Sequence, residues 1–242
     1  MRAGCSLRGK SVSEEHALES GKGPRGALPR HMVMQVKKSE GGGDATLDGI
    51  AKAYVLVEGR RTGHEHLYAY ERNEQKVIFR HTDHLDDKVW IPEDFHPRLL
   101  NRSDFVVLHH NHPNGSSFSA TDLRIFSHFA GIKLIFAHGH DDSSYQAEIR
   151  QRGNLDRALD AVQGMASDWY RSNAHPLVAC HNDTAWLTTH IMCLILHAAD
   201  IIDYRFDGNA ECRPRYDFAG LLGTAFISAS ATQLRTTLRS GK

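Results

Sequence analysis

A chain of 242 residues with 29 basic and 29 acidic side chains carries no net formal charge, so it offers no bulk attraction for nucleic acid or an acidic membrane. Its four cysteines, Cys5, Cys180, Cys193 and Cys212, stand far apart with no C-x-x-C pair. That spacing argues against a zinc ribbon and a disulfide scaffold and for a reducing compartment, here the cytoplasm.

Met1 to Asp44 is rich in Gly, Ser, Lys and Arg, and ends in Ser39-Glu40-Gly41-Gly42-Gly43. Its composition predicts a flexible leader over residues 1–44, with a short ordered segment at His31 to Val36. No apolar signal-peptide core opens the chain, although a secretion address read by other means can sit in such a leader. From Ala45 to Arg60, Leu47, Ile50, Ala51, Tyr54, Val55 and Val57 recur at helical spacing, and Thr62-Gly63 ends the run. Glu65 to Tyr70 and Lys76 to Arg80 read as two strands around the polar turn Glu71 to Gln75. A short strand at Val89 to Pro92, a short helix at Pro92 to Leu100 and a strand at Asp104 to Leu108 follow. Ala120 to Ala130 reads as a helix stopped by Gly131. Ile132 to Ala137 reads as a strand paired with Ser144 to Ile149 across the turn His138 to Asp142. Helix, strands, helix, strands is the order of a mixed α/β sandwich over residues 45–150.

Beyond Gly153 the pattern changes. Leu155, Leu159, Val162, Met165, Ala166 and Trp169 recur at helical spacing. Asp183 to Asp203 reads as a long buried helix, and Phe218 to Ala231 as another. Residues 151–242 are therefore either a mainly helical C-terminal module or helices packed back on the first domain, with the boundary at Gln151 to Asn154. The most apolar stretch, Trp186 to Ile202, is interrupted by His190, His197 and Asp200. It falls short of the roughly 18 uninterrupted apolar residues of a membrane span.

The stretch His109 to Asp122, HHNHPNGSSFSATD, carries the chemistry. With 17 histidines in the chain, a lone one means little, but this set is patterned. On a strand, His110 and His112 project to one face, where two imidazoles can share a cation. Pro113 ends the ladder, and Asn114-Gly115 turns the chain back. Ser119 suits the N-cap of the next helix and Asp122 its first turn. Two histidines and one aspartate leave a fourth tetrahedral position open for water, the mark of a catalytic rather than a structural zinc site.

These residues resemble the JAMM (MPN-type) metalloprotease motif, His-x-His-Pro followed by Ser-x-x-Asp. The Asn between the histidines and the Pro-x-Gly after them look most like the bacterial RadC-type and phage-associated branches. The loop from Pro113 to Ser119 is shorter than in the RadC-type or eukaryotic deubiquitinase patterns. The resemblance spans roughly Ala45 to Arg150. It implies a JAMM-like (cytidine-deaminase-like) mixed sheet flanked by helices, with Zn2+ held by His110, His112 and Asp122. It implies hydrolysis of a peptide or isopeptide bond in a protein or peptide substrate by a metal-activated water. A glutamate on the strand after the first helix then moves the proton, and Glu65 occupies that place, with Glu71 and Glu58 as runners-up. Ser119 is expected to donate to the oxyanion as well as to cap its helix.

Two other classes compete. RadC-type and phage-associated relatives keep the motif as protein-interaction modules without a settled peptidase role. His110-Asn111-His112 also superficially suggests a His-Asn-His metallonuclease, which the balanced charge does not favour. Among the other histidines, His109 is expected to face away from the site. His138 and His140 are expected in a surface loop, with His138 at most at the site's rim. His190 and His197 are expected to pack one helix face. Cys180 with His175 or His181 lacks the surroundings of a nucleophile.

Overall fold

The computed structural model describes residues 46–173, 184–208 and 213–240. The leader expected over residues 1–44, with its His31 to Val36 segment, lies outside them, as does Cys180 with His175 and His181. The elements are α1 (Leu47–Thr62), β1 (Leu67–Glu71), β2 (Lys76–His81), a 3-10 turn (Glu93–Phe95), α2 (His96–Leu100), β3 (Val106–His112) and α3 (Ala120–His128). Then come β4 (Ile132–Gly139), β5 (Ser144–Ile149), α4 (Arg152–Asn173), α5 (Thr184–Ala198), β6 (Ile202–Asp207) and α6 (Arg213–Ser240).

The fold is α/β. Six strands form one mixed sheet in the order β2-β1-β3-β4-β5-β6. Of its pairs only β3 with β4 is parallel, and α3 makes the crossover between them. Strand alternation sends neighbouring residues of β3 to opposite layers. Val107 joins Ala51, Val55, Tyr68, Tyr70 and Leu134 beneath α1. Val106 and Leu108 join the larger core with Leu123, Phe126, Leu155, Leu159, Ile191 and Ile195. The same parity carries on through the polar end of β3 and divides its histidines between the two layers.

Local chemistry sets the ends of α1. The Thr46 hydroxyl accepts the Gly49 N–H at 3.2 Å, and Gly63 closes the helix at φ 76°, a left-handed conformation that needs no Cβ. Inside the same helix, Gly59 serves another purpose. A Cβ there would lie 2.4 Å from Asn111 Nδ2 and 2.8 Å from His140 Nε2. Ala is the better helix former by about 1 kcal/mol, whereas overpacking a fixed neighbour costs about 1–3 kcal/mol. Asn111 is fully buried and bonded on three sides, so the second effect wins. Gly59→Ala is expected to lower the unfolding free energy by up to about 2 kcal/mol net, read by urea denaturation.

Of the two arrangements left open for residues 151–242, the helices pack back on the sheet. Leu155, Leu159 and Ile191 share one core with Val106 and Ile135. The Arg152 guanidinium donates to the carbonyls of Phe126, Ser127, Phe129 and Ile132, tying α4 to the end of α3 and the start of β4. The long helix expected over Asp183 to Asp203 is corrected: α5 ends at Ala198, Asp200 takes a left-handed φ of 62°, and Ile202–Asp207 forms edge strand β6 on β5. The strand expected at Val89 to Pro92 is absent. Val89 and Ile91 bury their side chains without a partner strand. The α3 helix ends at His128 with Phe129 as its cap, ahead of the expected stop at Gly131. Among the described residues no helix is long and apolar enough to cross a membrane.

Candidate metal centre

His110 and His112 lie on the α3 side of the sheet with their Nε2 atoms 2.9 Å apart. His112 Nδ1 is 2.8 Å from the Ser116 carbonyl oxygen. A carbonyl only accepts, so that nitrogen carries the hydrogen and Nε2 is left with a lone pair. That lone pair faces His110 Nε2 across 2.9 Å. Asp122 lies beside them, Oδ1 at 3.8 Å from His110 Nε2 and Oδ2 at 3.6 Å from His112 Nε2. The ligand atoms of the three residues all lie within 4.8 Å of one another, a group that can hold a metal ion.

The loop that returns Asp122 to the histidines is built from short-range bonds. Gly115 N–H donates to the His112 carbonyl at 3.0 Å, and Ser116 N–H to Asn114 Oδ1 at 2.9 Å. Gly115 has φ 71°, and a Cβ there would meet the Asp141 carboxylate at 2.7 Å. Tyr145 donates its hydroxyl to the Gly115 carbonyl at 2.7 Å. Five residues between Pro113 and Ser119 are therefore enough to close the site. Ser119 then caps α3 in a reciprocal box. Its Oγ accepts Asp122 N–H at 3.1 Å, and Asp122 Oδ2 accepts Ser119 N–H at 2.6 Å. The cap holds Asp122 with its other oxygen free toward the histidines.

Glu65 lies two residues before Leu67, which pairs with His110 in the β1–β3 ladder. Leu67 packs in the core on the α3 side, and Glu65 shares its parity. Glu65 is 8 % exposed. Burial first, then the negative charges of Asp122, Asp87 and Asp86, push its carboxyl up to about 8. Burial, and next the neighbouring His112, push His110 down to about 4, so its ring is neutral at pH 7.

The two runner-up glutamates are engaged elsewhere. Burial would raise the Glu71 carboxyl, but backbone N–H donors from Glu74, Phe105 and Asn73 outweigh it and hold the group low; it accepts Glu74 N–H at 2.5 Å and Phe105 N–H at 3.0 Å. Glu58 pairs with Arg61 on the surface of α1 at 2.5 Å.

The remaining histidines divide by layer. His109 faces α1, away from the metal group, as expected. His138 corrects the expected surface loop: β4 runs on to Gly139 because its parallel partner β3 does, which buries His138. His138 Nε2 bonds His109 Nδ1 at 3.0 Å, His109 Nε2 meets Asp48 Oδ1 at 3.2 Å, and Tyr70 donates to Asp48 at 2.5 Å. This polar chain lies on the reverse side of the sheet from the metal group. His190 and His197 serve packing and backbone: His190 Nδ1 meets the Tyr204 hydroxyl at 2.9 Å, and His197 Nδ1 accepts Tyr204 N–H at 3.1 Å. Cys193 is buried next to Ser117, and burial pushes its thiol up to about 12, which makes it inert. Sequence reasoning gave Asn111 no structural part, only the RadC-type and His-Asn-His likenesses. Its i±1 offset from two same-facing histidines was the signal that it belongs to the other layer. No family profile, curated protein or solved structure matches the chain.

Proposed function

We propose that this protein is a zinc-dependent peptidase or isopeptidase of JAMM/MPN type, hydrolysing an amide bond in a protein or peptide substrate. One observation carries this reading: His110 and His112 bring their Nε2 atoms together beside Asp122, with the buried carboxyl of Glu65 just ahead of neighbouring strand β1. Tetrahedral zinc with bonds of about 2.0–2.1 Å separates its ligands by roughly 3.3 Å. Here the two Nε2 atoms are 2.9 Å apart, and each lies 3.6–3.8 Å from one of the two Asp122 oxygens, distances near that value. Two imidazoles disfavour calcium and magnesium, which take oxygen ligands. The order of helix, hairpin, motif strand, helix and strands also agrees with the fold that the motif's resemblance implies.

Zinc, when bound, supplies a Lewis acid that acidifies water and polarises the scissile carbonyl. The chain's own groups supply the rest. Glu65, poised near neutral pH, takes a proton from the attacking water and returns it to the leaving amine. Ser119 Oγ uses a lone pair to accept Asp122 N–H, so its own hydrogen is free to donate to an oxyanion. His112 is kept in its ligating tautomer by the Ser116 carbonyl. A His-Asn-His nuclease reading needs Asn111 beside the histidines, whereas Asn111 bonds into the opposite layer.

The test is cleavage of peptide and isopeptide-linked protein substrates by the zinc-loaded chain, with and without a chelator. Chelator-sensitive cleavage is expected. Zinc binding without cleavage would leave a binding module on this fold, and nicking of supercoiled plasmid would favour the nuclease. Ser119→Ala separates the two roles of that residue. As a cap alone it loses about 1 kcal/mol of stability. As an oxyanion donor too, it also lowers kcat by about a hundredfold, which is the expected outcome.

A further inference from the structure

Asn111 sits between two metal ligands in sequence and behind them in space. It is fully buried on the α1 side of the sheet. Its Oδ1 accepts the His66 N–H at 2.8 Å, and its Nδ2 donates to the His64 carbonyl at 3.0 Å and to His140 Nε2 at 3.1 Å. The first two bonds grip the peptides on either side of Glu65. The β1–β3 ladder begins only at Leu67 with His110. A side-chain amide therefore continues the strand pairing past the end of the ladder. Glu65's own backbone is held from the other edge: its N–H donates to the Leu85 carbonyl at 2.8 Å, and its carbonyl accepts the Thr82 hydroxyl at 2.8 Å. A residue fixed through both flanking peptides cannot rotate its Cα–Cβ bond away from the α3 face without breaking these bonds. The grip needs an acceptor atom and a separate donor atom diverging from one short arm, which the Asn amide provides at this reach. Gly59 supplies the space, since a Cβ there would displace the amide.

We propose that Asn111 is a positioning residue that holds Glu65 toward the metal group from the reverse face of the sheet. This rests on the reading of Glu65 as the proton carrier, and one experiment tells the failure of that reading from the failure of this proposal alone. The probe is Co2+, added to full-length wild type, Asn111→Ala, Asn111→Ser and Glu65→Gln. Asn111 touches no ligand nitrogen, so both Asn111 variants are expected to bind Co2+ with near wild-type affinity. The visible band of the Co2+ protein is expected to shift with pH as Glu65 titrates. Glu65→Gln is expected to lose that step, and Asn111→Ala to displace it by about half a pH unit or more. Asn111→Ser, which keeps one hydroxyl for two partners, is expected to lie between, and it carries the test where the Ala variant does not fold. With a cleavable substrate, Asn111→Ala is expected to lower kcat about ten- to hundredfold with KM nearly unchanged. Glu65→Gln/Asn111→Ala is expected to be no slower than Glu65→Gln alone. A step that survives Glu65→Gln, or wild type that binds no Co2+, sinks the Glu65 reading and this proposal with it. A Glu65-dependent step that neither Asn111 variant moves overturns the role of Asn111 and leaves Glu65 in place.

Discussion

Wild-type protein purified with zinc present is expected to hold about one ion per chain, and the His110→Ala/His112→Ala double variant none, by elemental analysis. The reason is the donor set. Asp122 is the remaining ligand, and a single carboxylate has no chelate partner to keep zinc against water. The variant should still fold. Removing the two buried rings leaves a cavity that costs about 2–4 kcal/mol of packing. A second readout follows from linkage. Zinc at a thousand times its Kd stabilises the wild type by about 4 kcal/mol and raises its melting temperature, whereas the double variant shows no zinc-dependent shift. Unchanged zinc in the variant would place the metal elsewhere, and zinc in neither protein would mean that the two rings only hydrogen-bond each other.

Much of this geometry was legible because it rests on period-two and cap rules. Alternation alone separates His110 and His112 from His109 and Asn111, and the Ser119–Asp122 spacing is that of a capping box. The failures have physical causes as well. Ile202, Tyr204 and Phe206 alternate with Asp203, Arg205 and Asp207, a clear strand pattern, but it follows a largely apolar helix with no Gly or Pro between. The break is made by Asp200 in a left-handed conformation, which sequence seldom betrays. Val89 and Ile91 alternate too, yet a strand requires a partner edge, and Pro92 has no N–H to offer one. His138 was obscured by the polar turn after it. Its burial is decided by how far the parallel neighbour β3 extends, a non-local fact. The grip of Asn111 on residues 64 and 66 is likewise invisible without the register that brings them together.

Glu65→Gln is expected to retain zinc and lose hydrolysis by about a hundred- to ten-thousandfold in kcat. Gln keeps the shape and a hydrogen-bond acceptor but cannot carry a proton. Retained cleavage would move proton transfer to a group outside the three glutamates, since Glu71 is committed to the backbone and Glu58 to Arg61. The same variant carries an activity-independent signature in metal-free protein. The Glu65 carboxyl sits at about 8 when folded, against an ordinary value of 4.5. Between these values the folded state binds more protons than the unfolded one, so stability falls as pH rises through the window. Below pH 4.5 both states hold the proton and nothing is lost; above pH 8 the folded state bears a buried carboxylate near Asp122, Asp86 and Asp87. Metal-free Glu65→Gln lacks that carboxylate, so its stability relative to wild type should improve from pH 5 to pH 9 by on the order of a few kcal/mol. Zinc should erase most of the difference, because a cation beside Glu65 favours its charged form. A buried carboxyl that the bare fold keeps protonated at pH 7, and that a cation at His110, His112 and Asp122 would favour as an anion, is a group that becomes a base when the metal is in place.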